Sequence, residues 1–413
     1  MLDQERIKRN VHFLYFRIYA DLVVNHMTGG GWGTGSAGSN FNADTLEFPG
    51  VPYWPEDFHG EDVCKTDDLE IHDYGNADEV RYCRLVGLRD LRHGRPAVDN
   101  KIVEFINRLI DWGVAGFRLD ASKHMFPHHI QGFLNRLNNL NTQWFPGNTK
   151  PFVFTEVIDL GDEPISSGEY TPFSRVTEFR YGMNLGDVFR NNDGQTLATL
   201  KNFGEGWGFM GGLSAVAFVD NHDNQRGHGA GDFSRILTFF EDHLYKMANA
   251  FELAWPYGYV RIMSSYYWPR DIREGEDIND WVGPPSNAGG KTQDVRCFDN
   301  FVCEHRWRQI TNMVKFHNAV VGTPVVHWWD NGFQAIAFGR GNKGFIVLNN
   351  EQHTIDRDFN TNLPDGEYCD VITCENNRPP CGGSECRGTF RVQNGRVGIR
   401  VPNDGNPFVA LHV

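Results

Sequence analysis

The chain has 413 residues, 40% of them hydrophobic, enough to bury a large α/β domain and a smaller one. Its net charge is −14 and its basic residues form no long run, which argues against an electrostatic grip on nucleic acid or an anionic membrane and favours a neutral substrate. The aromatic content, 13%, suits a sugar-stacking cleft and a large core equally.

Residues 1–16 have no clear partner elsewhere in the chain: positions 1–10 are highly charged, and the apolar piece at 11–16 is too short for a signal peptide. The first strand is expected at 17–24, closed by Asn25 and His26. A glycine-rich loop at 29–38 has the composition of a mobile active-site loop or of a plain linker. Residues 29–92, rich in Asp, Pro and Gly, read as a small inserted domain. At 98–112, Ile102, Phe105, Ile106, Leu109 and Ile110 follow helical spacing. The apolar run 114–119 then delivers Asp120, with Arg118, Lys123 and His124 around it. A helical stretch at 129–140 leads to the strand 152–155 and Glu156. Strands are also expected at 175–181, at 215–219 ahead of Asn221, His222 and Asp223, and at 259–263, with helices at 186–201 and 233–251. No stretch is long and apolar enough to cross a membrane.

Asp120 and Glu156 lie one strand-helix unit apart, and Glu156 and Asp223 two, the rhythm of a (β/α)8 barrel. In such a fold the loops leaving the carboxyl ends of the strands surround the active site. From about residue 323 the pattern becomes short alternating strands, at 335–339, 345–349, 367–372, 388–392, 397–401 and 408–413, which reads as an antiparallel β-sandwich. The expected division is a barrel over 17–28 and 93–322, an inserted domain over 29–92 and an all-β domain over 323–413. Carboxylates at strand ends suit work on a glycosidic bond, where a retaining pair stands about 5 to 5.5 Å apart. Neighbouring strands about 4.8 Å apart give Asp120 and Glu156 that reach. A metal hydrolase or an aldolase on the same fold stays open at this point.

Eight cysteines fall in sequence-local groups: Cys64 and Cys83, Cys297 and Cys303, then Cys369, Cys374, Cys381 and Cys386. An even count without zinc-type spacing reads as disulfides in an oxidising compartment, hence an extracellular protein. Connectivity among the last four stays open, with Cys369–Cys386 enclosing Cys374–Cys381 favoured.

Four stretches resemble the signature regions of the α-amylases: Asp21-Leu-Val-Val-Asn25-His26, Gly116-Phe-Arg118-Leu-Asp120-Ala-Ser-Lys123-His124, Glu156-Val-Ile-Asp, and Phe218-Val-Asp-Asn221-His222-Asp223. They occur in the family's order, and the likeness is greatest to the chloride-dependent animal type. The resemblance implies a secreted monomer that hydrolyses internal α-1,4 bonds of starch and glycogen with retention. It makes Asp120 the nucleophile, Glu156 the acid and then base, and Asp223 the transition-state stabiliser. His26, Tyr74, Lys123, His222 and His228 match substrate-binding positions. Calcium would be held by side-chain oxygens of Asn25 and Asp90 and the carbonyls of Arg81 and His124, an all-oxygen set suited to a hard cation. Chloride would be held by Arg118, Asn221 and Arg261, and family members lacking the last arginine tend not to need it.

The departure from the family is at the front. Six barrel strands can be counted where eight are needed, so the first two are expected to be missing. Two open sheet edges are an aggregation hazard, and the chain as written is expected to be poorly stable or inactive although its catalytic residues are present. The alternatives are an inactive homologue or glucan-binding fragment, and a related α-glucosidase or transglycosylase.

Overall fold

The computed structural model describes residues 16–35, 37–374, 386 and 388–413, and divides into two compact units, Met1–Thr177 and Glu178–Val413. The apolar piece at 11–16, apart from its last residue, and Cys381 lie outside the described residues.

In the first unit four parallel strands stand side by side: β1 (Ile18–Leu22), β4 (Val114–Leu119), β5 (Phe152–Thr155) and β6 (Arg175–Thr177). All six residues of β4 are buried, the mark of a parallel strand covered on both faces. Gly116 in its middle has a packing reason. A Cβ there would stand 2.5 Å from the Phe152 carbonyl oxygen and 2.9 Å from the Tyr19 ring, so only glycine lets its neighbours close in. Before β4 runs the helix Pro96–Asp111, which starts on a proline and buries Val98, Ile102, Val103, Ile106, Leu109 and Ile110 along one stripe.

Between β1 and that helix lies the insertion. It carries a short antiparallel hairpin, β2 (Trp32–Thr34) with β3 (Asn40–Asn42), the helix Ala77–Tyr82 and the disulfide Cys64–Cys83. Its two ends are zipped together: the Met27 amide donates to the Arg89 carbonyl (2.8 Å) and the Leu91 amide to the Asn25 carbonyl (2.9 Å). Asn25 and Asp90, far apart in sequence, thereby become neighbours.

In the second unit β7 (Ala215–Ala217) pairs in parallel with β8 (Tyr259–Val260), and a small hairpin joins β9 (Ile272–Arg273) to β10 (Glu276–Asp277). The strand expected at 175–181 stops at Thr177, because Glu178 accepts from the Arg180 amide and caps a helix, Phe179–Arg190. That helix lies earlier than the expected 186–201. Its glycines lower helix propensity, yet Gly182 and Gly186 are where it touches its neighbours; added Cβ atoms would meet the Val219 and Arg235 carbonyls at 2.3 and 1.7 Å. The helix expected at 233–251 is Asp242–Ala254 instead, preceded by a tight turn capped by Thr238. Arg308–Val320 is the last helix.

The C-terminal region is two antiparallel four-stranded sheets. One runs β11 (Val325–Asp330), β12 (Ala335–Arg340), β13 (Gly344–Asn349), β18 (Phe408–His412). The other runs β14 (Ile355–Asn360), β17 (Arg396–Val401), β16 (Thr389–Gln393), β15 (Gly366–Cys369). In β12 and β13 the period of two divides the side chains: Ala335, Ala337, Phe345 and Val347 pack with the second sheet, while Ile336, Phe338, Ile346 and Leu348 pack with the helices of this unit. Cys297–Cys303 and Cys369–Cys386 are formed, as expected.

Candidate active site

Each unit carries part of the expected set, and in the first unit it gathers on Arg118. The register of β1 on β4 sets Asp21 opposite Arg118. Arg118 Nη1 donates to Asp21 Oδ1 and Asp120 Oδ1, both at 2.7 Å, and Nη2 lies 2.5 Å from Glu156 Oε1. Burial works against the guanidinium charge, but Glu156, Asp21 and Asp120 outweigh it and hold the arginine above its usual range. Past Asp120 the chain turns through Ala121, at φ 48°, which aims the Ala121 amide at Glu156 Oε2 (3.0 Å). Glu156 thus has a backbone hydrogen bond at Oε2 and the Arg118 charge at Oε1.

His26 is held below its usual pKa by burial, with Asp120 opposing. Lys123 is buried, with its ammonium on Glu163 and 5.3 Å from the centre of the Tyr74 ring. Tyr74 also meets His124 edge-on. The His124 ring, pushed down to about 4 by burial, donates from Nδ1 to the Val80 carbonyl (2.9 Å) and ties β4 to the insertion.

Two of the expected calcium ligands, Asn25 and Asp90, also meet. Asn25 Nδ2 donates to Asp90 Oδ1 (3.1 Å), while Asn25 Oδ1 is buried without a hydrogen-bond partner. Asp90 Oδ2 lies 2.5 Å from His59 Nδ1, and burial pushes the carboxyl up to about 6, with His59 and Asn25 opposing. Among the described residues no group of three His, Cys, Asp or Glu side chains is arranged to hold a metal. An ion here would draw on amide and carbonyl oxygens around one carboxylate, a set that fits a hard cation.

In the second unit the turn after β7 carries Asn221, His222 and Asp223. Asn221 Oδ1 accepts from the amides of Asp223 (3.1 Å) and Asn224 (2.8 Å), and the Asn221 amide donates to Asn224 Oδ1 (2.7 Å). This orients the Asn221 side chain with its NH2 group as the donor left for an anion. In the first unit, Arg118 Nε is likewise buried without a hydrogen-bond partner, an N–H donor of the kind an anion takes. Arg261 follows β8, its amide on the Ala217 carbonyl (2.9 Å). His222 Nε2 is 3.4 Å from Asp223 Oδ2. The ring of His228 faces Asp280 (3.0 Å) in an exposed loop.

Four functional-looking partners are not among the residues expected from the sequence: Asp21, His59, Glu163 and Asp280. Asp21 had a signal, since pairing the two strands with their polar ends aligned puts it across from Arg118. The other three sit in acidic or irregular loops, where nothing in the sequence separates them from solvated neighbours.

Residues 326–413 match the family described as alpha amylase, C-terminal all-beta domain. An alpha-amylase of Oryzias latipes is 53% identical over 410 residues, covering 96% of this chain and 78% of that protein. Human alpha-amylase 2B is 51% identical with the same coverage. A solved structure of a variant of alpha-amylase I with maltohexaose, from Eisenia fetida, is 61% identical with a TM-score of 0.93, covering 96% of this chain and 81% of that one.

Proposed function

The chain belongs to the α-amylase family of glycoside hydrolases, and from that premise we propose that it hydrolyses internal α-1,4 bonds of starch and glycogen with retention of configuration. The observation that carries the proposal is the shared guanidinium: one arginine hydrogen-bonds Asp120 through Nη1 and forms an ion pair with Glu156 through Nη2. Two carboxyls held that way suit the short separation of a retaining pair, about 5 to 5.5 Å, better than the wider one that admits a water. Asp120 attacks the anomeric carbon; Glu156 gives a proton to the leaving oxygen and then takes one from water. Asp223, fixed by Asn221, steadies the charged transition state. His26, His222 and His228 meet sugar hydroxyls, as does Lys123, which pairs with Glu163 and lies over Tyr74.

Asn25 and Asp90, with the carbonyls of Arg81 and His124, would hold calcium, which would join the insertion to the barrel strands. Arg118, Asn221 and Arg261 would hold chloride, whose charge would counter the pull of the Arg118 guanidinium and Ala121 amide toward an ionised Glu156 and so favour its protonated form. The three disulfides among the described residues support a secreted protein. One observation favours a second reading, an inactive or glucan-binding homologue: among the described residues β1 pairs along one edge only.

Proton NMR of the first products from a maltooligosaccharide separates outcomes. The α-anomer appearing before mutarotation is the result expected; the β-anomer would overturn retention and the nucleophile assignment.

A further inference from the structure

Directly before Asn221 stands an acid that no part of the proposed chemistry uses. Asp220 is 2% exposed, and its Oδ1 accepts from the hydroxyl of Tyr245 (2.8 Å), a wholly buried residue of the helix Asp242–Ala254. Its other oxygen, Oδ2, is buried with no hydrogen-bond partner among the described residues. We infer that Asp220 is a positioning residue for the reaction: held by Tyr245, it fixes the root of the turn that carries Asn221 and Asp223.

The anchoring runs along covalent and hydrogen bonds within one unit. Strand β7 ends at Ala217, and among the described residues no strand pairing holds the chain beyond Val219. From there the turn is kept by its own bonds, Asn221 to the Asp223 and Asn224 amides and Asn224 back to Asn221. Those bonds fix the shape of the turn but not its place. Place comes from buried anchors on either side, among them Arg226, which donates to the Asp280 and Val282 carbonyls. Behind Asp223, Gln225 Oε1 accepts from Ser265 Oγ (2.9 Å), and Ser265 is bound in turn, through its amide (2.7 Å) and hydroxyl, to the buried Glu304. Ahead of Asp223, the anchor is Asp220 on Tyr245. Removing the Asp220 anchor lets the turn pivot on the Gln225 and Arg226 side.

The charge state of Asp220 bears on the choice of variants. Burial pushes its carboxyl well above the usual range; Tyr245 and Arg261 oppose the shift and Glu304 adds to it. Glu252, on the same helix as Tyr245, is also buried and raised, with Asp220 contributing. Burial of this kind favours the neutral carboxyl, whose shape an asparagine copies. Asp220→Asn keeps the acceptor for Tyr245, whereas Asp220→Ala and Tyr245→Phe remove one partner each.

The inference rests on Asp223 being the transition-state stabiliser, and the test keeps the two claims apart. In the full chain, kcat and KM are measured on a chromogenic maltooligosaccharide, and hydrogen exchange is followed over residues 220–226. Asp220→Ala and Tyr245→Phe should lower kcat on the order of ten- to a hundredfold with KM changed less than about twofold, as expected for a misplaced group that acts in the transition state. Both should speed exchange at the Asp223 and Asn224 amides, while Asp220→Asn stays within about twofold of the parent in kcat and exchange. Tyr245→Phe, the mildest change, covers the case in which Asp220→Ala does not fold. Unchanged kcat and unchanged exchange in Tyr245→Phe would overturn the inference, as would an Asp220→Asn variant as impaired as Asp220→Ala. Faster exchange combined with an Asp223→Asn variant of undiminished kcat would instead leave the anchor standing and remove the role given to Asp223.

Discussion

Asp90 shows how one residue links stability, metal and pH. Its folded carboxyl titrates at about 6 against an ordinary 3.8, because burial penalises the charge. In the folded chain it keeps a proton that the unfolded chain has already lost, so the stability this group contributes falls as pH rises from about 3.8 to about 6. A cation at Asn25 and Asp90 needs the ionised form and would offset that loss. The difference in melting temperature between calcium and chelator should therefore be small at pH 5 and widen through pH 6 to 7.5. A difference that stays constant across that range would remove Asp90 from the ligand set. The sequence carried the candidate ligands, since Asn25 and Asp90 stand in recognisable stretches. It did not carry His59, whose 2.5 Å contact with Asp90 depends on how the insertion folds back.

At the scale of elements, Arg340 at the end of β12 holds two helices. It donates to the carbonyl of Ala254, the last residue of one helix, and to the carbonyls of Thr323 (2.7 Å) and Val320 at the end of another. A cation at two helix C-termini adds a donor to these carbonyls, of which Val320 also accepts from the Thr323 amide and hydroxyl, and it meets both dipoles at their negative ends. The cost is visible in its pKa, lowered by burial to about 10. Arg340→Met should destabilise the chain by about 2 to 3 kcal/mol, the loss of hydrogen bonds to a charged donor. The check is a denaturant titration; a loss under about 0.5 kcal/mol would mean the carbonyls find water instead.

Element boundaries were the least legible feature, for reasons that can be named. Glycines at 182 and 186 disguised a helix whose close packing required them. Strand β14 reads as charged, Ile-Asp-Arg-Asp-Phe-Asn, because Ile355 and Phe359 alone face the sandwich core while the Arg357 guanidinium lies 4.5 Å from the centre of the Trp329 ring. Strand β11 hides behind a bulge, with His327 at φ 52° breaking the alternation.

For the whole molecule, the architecture was legible because its signals are long-range and redundant: polar residues at the ends of apolar runs, a strand-helix rhythm, then a change of period near residue 323. Six barrel strands were expected, and six parallel strands are present among the described residues, four in the first unit and two in the second. Chemistry and stability separate at this scale. The pair that would carry out catalysis is held by contacts inside the first unit, from Arg118 to Asp120 and Glu156 and from the Ala121 amide to Glu156, and these do not depend on how β1 is paired along its other edge.

The most direct measurement is release of reducing sugar from soluble starch by this chain, with calcium and chloride present, beside Asp120→Asn. Release by the parent, lowered by at least about a thousandfold in the variant, is the outcome predicted for a lost nucleophile. A folded parent that releases none, or a variant that keeps the parent's rate, would contradict the account.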